Sequence, residues 1–421
     1  MEKKRVKKQD DSYINESGFD FNKFEIEAIA GLYSGKNLLG TEGVLTSLVQ
    51  RLVNAAMEGE MSSFLKESKA LLPNRRNGKL SKHLNTELGS VEVQTPRDRR
   101  GEFEPSLVGK WQRHLGSGVV EQIQMLYAMG NSITDIQHQL QKVYGLDYSS
   151  GSISEITDYV LKDILAWQQR PLQEFYAIIF LDGIYFKTRE SGRSATKVLY
   201  SVYSVDAMGQ RDILGTYIRS SEGAHEWSSV LQDLKRRGVK DVLFFCIDGL
   251  KGFSDAILEE FPFSTIQRCI VHMIRSSTKL VGSKHIREVC QDLKTIYKAS
   301  DREQAALALQ VFKEKWEKIC PEVAKKWEAE WDDLMAYMDF GEPIRRIIYT
   351  TNAVEGFHRQ LRSITKSKGS WANDQALTKQ VYMSLHLGTI SWNKKVRNWS
   401  EVARGLMNTF GERFTKHLPD I

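Results

Sequence analysis

Three acidic residues in this chain stand where a carboxylate is unfavourable unless something cationic meets it. Asp182 follows directly on the apolar run Ala177-Ile-Ile-Phe-Leu181, which reads as a buried sheet strand. A second stretch repeats the pattern: Val242-Leu-Phe-Phe-Cys-Ile247 delivers Asp248 and then Gly249, whose lack of a side chain lets backbone or ligand come close. Glu355 lies in Thr350-Thr-Asn-Ala-Val-Glu355-Gly-Phe-His-Arg359, near the start of a predicted helix that Asn352 would cap. An ionised Asp in an apolar strand needs a compensating charge. Two strand-borne aspartates and one helix-borne glutamate can share divalent metal ions, an arrangement suited to phosphoryl transfer. Mg²⁺ takes a few carboxylates and completes its shell with water and phosphate oxygen, so three acids suffice, and Mn²⁺ can substitute. Asp182, being central, would be the shared ligand. Four and seven residues beyond Glu355, Arg359 and Arg362 share its helical face and could hold phosphates. An ordinary Glu-to-Arg pair at i,i+4 has the same spacing.

The elements that must position these acids follow from periodicity. After the Asp182 strand, residues 198–205 and 213–218 read as strands separated by a turn at Asp206-Ala-Met-Gly209. A helix with Trp227, Val230, Leu231 and Leu234 on one face stops at Gly238. The Asp248 strand comes next, then a helix with Phe253, Ala256 and Ile257, then a strand over 265–271 that ends at His272. Three strands, a helix, a strand, a helix and a strand is the order of an α/β ribonuclease-H-like core, in which the first and fourth strands are neighbours. Asp248 and Glu355 are 107 residues apart (355 − 248), too far for a simple connection. Helical periods at Ile286/Val289/Leu293/Ile296, Ala305/Ala308/Leu309/Phe312/Trp316 and Trp327/Trp331/Leu334/Met338 fill the gap and predict an all-helical insertion over 273–344. Its tryptophans read as core. The catalytic core is then 171–272 together with 345–421.

Upstream, residues 1–20 read as a disordered basic tail and 21–115 as a helical region with a β-hairpin. Leu45, Leu48, Leu52 and Ala55 mark the helix; Asn77-Gly78 and the alternating Val91/Val93 mark the hairpin. Arg97, Arg99 and Arg100 beyond its second strand could fork onto phosphates, or simply solvate a turn. Residues 116–170 read as a helix-turn-helix DNA-binding region. Ile123, Leu126 and Tyr127 form one apolar face, and Ser132-Ile-Thr-Asp135 opens a second helix carrying Ile133, Ile136, Leu140 and Val143. Ser152-Ile-Ser-Glu155 has the pattern of a capping box opening a third, whose early Ser152 and Ser154 would face base edges. Three amphipathic helices are also a common core.

Composition agrees with this division. The chain has 421 residues, 41% hydrophobic and 27% charged, with a formal net charge of +6, enough for two or three domains with their own cores. Lys and Arg outnumber Asp and Glu by 11 to 6 over residues 66–113 and by 9 to 2 over 359–404, so two basic segments flank the acid-bearing core, as suits a polyanionic partner. Four cysteines (Cys246, Cys269, Cys290, Cys320) make no disulfide framework. There is neither a signal peptide nor an apolar run of membrane-spanning length, which points to the cytoplasm, with nucleoid association during action. Cys269-Ile-Val-His272 is half of a zinc site without a second pair at ligand spacing, so a packed Cys and a site-flanking His are expected, with His285 and Cys290 the unpaired candidates.

Several blocks together resemble the Mutator-type bacterial insertion-sequence transposases along nearly the whole length after residue 20. They are Pro96-Arg-Asp-Arg99 with Gly101-Glu-Phe-Glu-Pro105; Leu181-Asp-Gly-Ile-Tyr-Phe-Lys187; Ser221-Glu-Gly-Ala with Trp227; Arg237-Gly-Val with Asp248-Gly-Leu-Lys-Gly-Phe253; Gln267-Arg-Cys-Ile-Val-His272; and Ile348-Tyr-Thr-Thr-Asn-Ala-Val-Glu355. The resemblance implies a DDE triad at Asp182, Asp248 and Glu355 and a supporting Cys-x-x-His element at Cys269 and His272. It also implies N-terminal recognition of terminal inverted repeats in double-stranded DNA, cleavage and strand transfer supported by Mg²⁺, excised circular DNA, and action as a homodimer or larger assembly. Gly183, where the family usually has Ala, and Ser370-Trp371, where Phe-Pro is usual, depart from the pattern without touching the triad. A host nuclease of the same fold, or a DNA-binding regulator descended from a transposase, are the rival readings. The full-length match disfavours the first, and retention of all three acids the second.

Overall fold

The computed structural model describes residues 21–68, 74–110, 112–115, 118–190, 192–221, 223–250, 252–349, 352–366 and 368–419. The tail expected at 1–20 lies outside them, and so does the side chain of Asn352 expected as a cap. The chain forms two units, Met1–Tyr159 and Val160–Ile421. The helical region expected to run to residue 170 therefore divides at Tyr159.

The first unit begins with α1 (Phe21–Tyr33) and α2 (Val44–Ser68), broken between them by a turn in which Gly35 and Gly40 take positive φ. The buried face of α2 is Val53, Met57 and Met61, whereas Leu45 and Leu52, expected on the packed face, are exposed. The hydrophobic side is set by what α2 meets: Val53 and Met57 pack against Leu84, Val91 and Val93 of the hairpin β1 (Arg76–Thr86) and β2 (Gly89–Asp98), and against Val108 beyond it. That hairpin was expected from Asn77-Gly78, but its turn is at Glu87–Leu88, closed by Thr86 Oγ1 donating to the Gly89 carbonyl at 2.7 Å. Asn77-Gly78 instead lies in β1 at a register shift between Arg76 and Lys79, where Gly78 takes φ +80°.

Beyond β2 the carboxylate of Asp98 organises the arginine-bearing turn. It accepts from Asn74 Nδ2 at 2.8 Å and from the N–H groups of Phe103, Arg100 and Glu102 at 3.0, 3.1 and 3.2 Å. Burial alone would raise its pKa; those hydrogen bonds outweigh burial and bring it down to about 2. A depressed carboxylate stabilises the fold above the unfolded pKa of roughly 3.9, and that contribution is lost as pH falls towards 2. The wild-type melting temperature is therefore expected to drop more steeply from pH 4 to pH 2 than that of Asp98→Asn. Parallel curves would show that Asp98 does not carry this linkage.

Three helices complete the unit: α3 (Gly118–Ala128), α4 (Ile133–Tyr144) and α5 (Ser150–Asp158). Ile123, Leu126, Tyr127, Ile136, Leu140, Ile153 and Ile156 are buried as expected, whereas Val143 is exposed. Ser132 caps α4 as expected, and Asp135 completes a reciprocal capping box with it. The box expected at Ser152–Glu155 does not form. The N-cap is Ser149, whose hydroxyl accepts from the Ser152 N–H at 3.0 Å, so α5 starts one turn earlier.

The second unit opens with α6 (Leu161–Gln169) and holds a five-stranded sheet. Its strands are β3 (Phe175–Glu190), β4 (Arg193–Val205), β5 (Arg211–Arg219), β6 (Asp241–Ile247) and β7 (Thr265–Arg268), in spatial order β5-β4-β3-β6-β7. The first three pair antiparallel, and β6 and β7 join parallel to β3. On one face lie α7 (Ala224–Arg236) and α8 (Phe253–Glu260), where Trp227 stacks between Tyr200 and Phe253 at 4.1 and 4.8 Å. Each such stack contributes roughly 0.5–1.5 kcal/mol beyond the area it buries.

The strand expected over 265–271 ends at Arg268. Cys269 is an N-cap, and α9 (Ile270–Thr278) follows, because Ile270, Met273 and Ser277 recur at helical spacing against the core. The expected helical insertion comprises α10 (Ile286–Tyr297), α11 (Arg302–Trp316), α12 (Pro321–Ala329), α13 (Trp331–Met335) and α14 (Glu342–Ile348). Trp316 and Trp327 are buried, as their core reading requires. The chain then returns to the sheet with α15 (Asn352–Thr365) and ends in α16 (Asp374–His386), α17 (Trp399–Phe410) and α18 (Glu412–Thr415). Trp371 pins the far end of β3: its N–H donates to Lys187 O, its carbonyl accepts from Arg189 N, both at 2.9 Å, and its ring meets Phe186 edge-on.

Candidate active site

The parallel pairing of β3 with β6 brings the two aspartates abreast. Phe180 is the register partner of Cys246, and two residues further along each chain stand Asp182 and Asp248. Apolar side chains dominate β3 and β6 because the sheet is covered on both faces; the acids come where the strands reach the edge of that cover. Glu355 arrives from α15, in its first turn, where the helix dipole favours a carboxylate.

His272, on α9, meets Glu355 and lines the same cavity as Asp248. Its Nε2 is 3.2 Å from Glu355 Oε1. Its pKa is pushed up to about 9, first by the hydrogen bond with Cys269, against burial, and further by the negative charges of Cys269, Asp182 and Asp248. Arg275, one turn along α9, grips the same glutamate through both carboxylate oxygens at 2.9 and 3.3 Å. Cationic groups thus already gather where carboxylates converge. Asp182 has its own neighbours: the Gly183 N–H donates to Oδ1 at 2.8 Å, and His358 Nδ1 lies 3.3 Å from Oδ2. A cavity of about 260 Å³ opens beside Asp248, lined also by Arg268, Cys269, His272, Lys326 and Glu330.

Ligand atoms of Cys269, His272 and Glu355 lie within 4.8 Å of one another, so this trio could hold an ion. It offers three donors where structural zinc takes four, and one of the three is Glu355, which Arg275 already engages. The other candidates are elsewhere: His285 meets Trp316 edge-on, and Cys290 is half-buried on α10. Oxygen-rich Asp182, Asp248 and Glu355 fit the preference of Mg²⁺ or Mn²⁺ for hard ligands.

The expected nucleic-acid contacts are distributed differently. Arg359 and Arg362 are exposed on α15 beyond Glu355, but the arginine in contact with Glu355 is Arg275, which sequence reasoning missed. Arg97, Arg99 and Arg100 are exposed around the Asp98 turn of the first unit. Ser152 is half-buried with its hydroxyl 2.9 Å from that of Ser149, and Ser154 is half-buried too. Ser152 lines a groove of about 1120 Å³ in that unit, together with Lys82, His83, Lys110, Arg113 and His114. Lys82, Lys110 and Arg113 of this groove were also missed; the charge excess over 66–113 was the only signal of them. His358 was missed as well, although its place three residues after Glu355 already puts it on the same helical face.

Asp182 and Asp248 thus stand on neighbouring strands and Glu355 on a returning helix, with His272, Arg275 and His358 against them. Residues 23–394 match the family model described as Transposase, Mutator family, and the chain belongs to that family. It is similar to a probable transposase for an ISRM3-like insertion sequence element of Sinorhizobium fredii, 36% identical over 93% of this chain and 99% of that one. The transposase for ISRM3 of Rhizobium meliloti is similar at the same identity and coverage. The transposase for IS256 in transposon Tn4001 of Staphylococcus aureus is 25% identical over 86% of this chain and 94% of its own. Among solved structures, a Drosophila P element transposase strand transfer complex covers 71% of this chain and 88% of its own at 11% identity, with a TM-score of 0.28, too slight a likeness to argue from. No described helix is long and apolar enough to cross a membrane.

Proposed function

We propose that this chain is a DDE transposase of an insertion sequence, which binds the terminal inverted repeats through its first unit and cleaves and joins DNA strands at Asp182, Asp248 and Glu355 in a ribonuclease-H-like core. The observation that carries the reading is that Asp182 and Asp248 stand abreast on neighbouring strands while the helix of Glu355 reaches Asp182 through His358, in a chain whose family is that of the Mutator transposases. The sheet order β5-β4-β3-β6-β7, with an acid on β3 and another just past β6, supports the ribonuclease-H-like assignment.

The three carboxylates would hold Mg²⁺, with Mn²⁺ as substitute, and Asp182 would be the shared ligand. Bound there, such ions supply Lewis-acid stabilisation of phosphoryl charge and lower the pKa of an attacking oxygen. The protein's own groups do the rest. Arg275 and His272 offset the charge of Glu355, and exposed Arg359 and Arg362 steer the DNA backbone towards the acids. Cys269, buried at the start of α9, holds His272 in orientation.

Cleavage of a duplex carrying an element end is expected to need Mg²⁺ or Mn²⁺ and to stop on chelation. Cys269→Ser should retain it at a measurable rate, since that sulfur is assigned no catalytic ion. Metal-independent cleavage would overturn the proposed chemistry. Stoichiometric zinc in the purified protein, lost with Cys269→Ser, would show instead that Cys269 and His272 are zinc ligands.

A further inference from the structure

We propose that His358 is a positioning residue for the acids, aligning the Asp182 carboxylate and tying it to the helix that carries Glu355; this rests on Asp182 being a metal ligand. Asp182 and Ser201 are direct cross-strand partners of β3 and β4, so their side chains emerge on the same sheet face. Over that face lies α15, and His358 reaches both residues: Nε2 is 2.9 Å from Ser201 Oγ and Nδ1 is 3.3 Å from Asp182 Oδ2. All three side chains are buried, Ser201 completely. The tautomer with its proton on Nδ1 accepts from the Ser201 hydroxyl at Nε2 and turns its N–H towards Asp182 Oδ2, 3.3 Å away. With the Gly183 N–H on Oδ1 and the His358 ring beside Oδ2, the carboxylate is flanked at both oxygens.

Two consequences follow for metal binding. The Asp182 carboxylate is held in one rotation before any ion arrives, so ordering it costs nothing further on binding. His358 also stands one turn after Glu355, so the contact that orients Asp182 sets the height of α15 over the sheet and with it the place of Glu355. Residues that orient a metal ligand typically affect affinity or activity by about 10- to 100-fold.

The test uses full-length protein stripped of metal and titrated with Mn²⁺, free ion being read by electron paramagnetic resonance. His358→Gln carries its amide to the Nε2 position, keeping the Ser201 contact and losing the donor to Asp182. His358→Asn keeps a donor near Nδ1 and loses Ser201. The Mn²⁺ dissociation constant is expected to rise about 10- to 100-fold in His358→Gln. His358→Asn should recover part of that loss, and Ser201→Ala should weaken binding less than His358→Gln does. A merely structural role would lower the melting temperature in both His variants without this ordering.

Asp182→Asn is titrated alongside. If it loses Mn²⁺ while a folded His358→Gln binds within twofold of wild type, the positioning role is overturned and the metal site stands. If Asp182→Asn itself binds normally, the reading of Asp182 as a ligand fails, and the inference with it. Should His358→Gln not fold, an unchanged constant in Ser201→Ala and His358→Asn would overturn it.

Discussion

Asp182→Asn is expected to fold, to bind element-end DNA as the wild type does, and to lose at least about a thousandfold of its metal-supported cleavage. The substitution keeps the shape of the side chain and removes one charge. The sheet around it rests on the apolar contacts of β3, so the fold has little to lose. The chemistry has much to lose, because a shared ligand positions more than one ion, and each ion contributes several kcal/mol of transition-state stabilisation. At about 1.36 kcal/mol per tenfold, even 4 kcal/mol is close to a factor of a thousand. Asp248→Asn and Glu355→Gln should behave alike in cleavage. Glu355→Gln should in addition free Arg275 and His272 from their ion pairs. The measurement is cleavage of an end-containing duplex in Mg²⁺ or Mn²⁺ beside a gel shift on the same duplex. Near wild-type cleavage by any one variant removes that acid from the set of ligands, and by all three it removes the mechanism.

The isolated first unit, residues 1–159, should bind the element's ends without the second unit and lose affinity steeply with salt. It has its own core between α2 and the hairpin, and six cations are placed for contact: Arg97, Arg99 and Arg100 around the Asp98 turn, and Lys82, Lys110 and Arg113 in the groove. Six phosphate contacts imply a slope of log K on log salt near −5, so affinity should fall by about a thousandfold between 50 and 200 mM salt. Replacing the three arginines by alanine should flatten that slope by about 3. Equal affinity for unrelated duplex at moderate salt would rule out specific reading by this unit. A slope shallower than about −2 would remove most of these cations from the interface.

What the chain's order of residues determined by itself was local and periodic. The runs before Asp182 and Asp248 are apolar enough to be strands and too short to be anything else, and the helical periods between Asp248 and Glu355 left no other reading for the insertion. The Ser132–Asp135 box formed as its spacing requires, since a cap is made within four residues. Where neighbours in space decide, the sequence was silent or misleading. Asn77-Gly78 has the composition of a hairpin turn, yet the pairing of Val91 and Val93 with α2 sets the register and makes it an irregularity in β1. Ile270-Val271 reads as strand until Met273 and Ser277 pack inward and turn it into α9. That change of element is what sets His272 and Arg275 against Glu355. A cluster of carboxylates, read from sequence, repels itself; in the fold it meets His272, Arg275 and His358, drawn from 90, 93 and 176 positions beyond Asp182 (272 − 182, 275 − 182, 358 − 182). Such contacts depend on the parallel register of β3 with β6 and on the height of α15 over the sheet. Neither is written in any window of the sequence, because both are fixed by burial of the two sheet faces against helices that come from the rest of the chain.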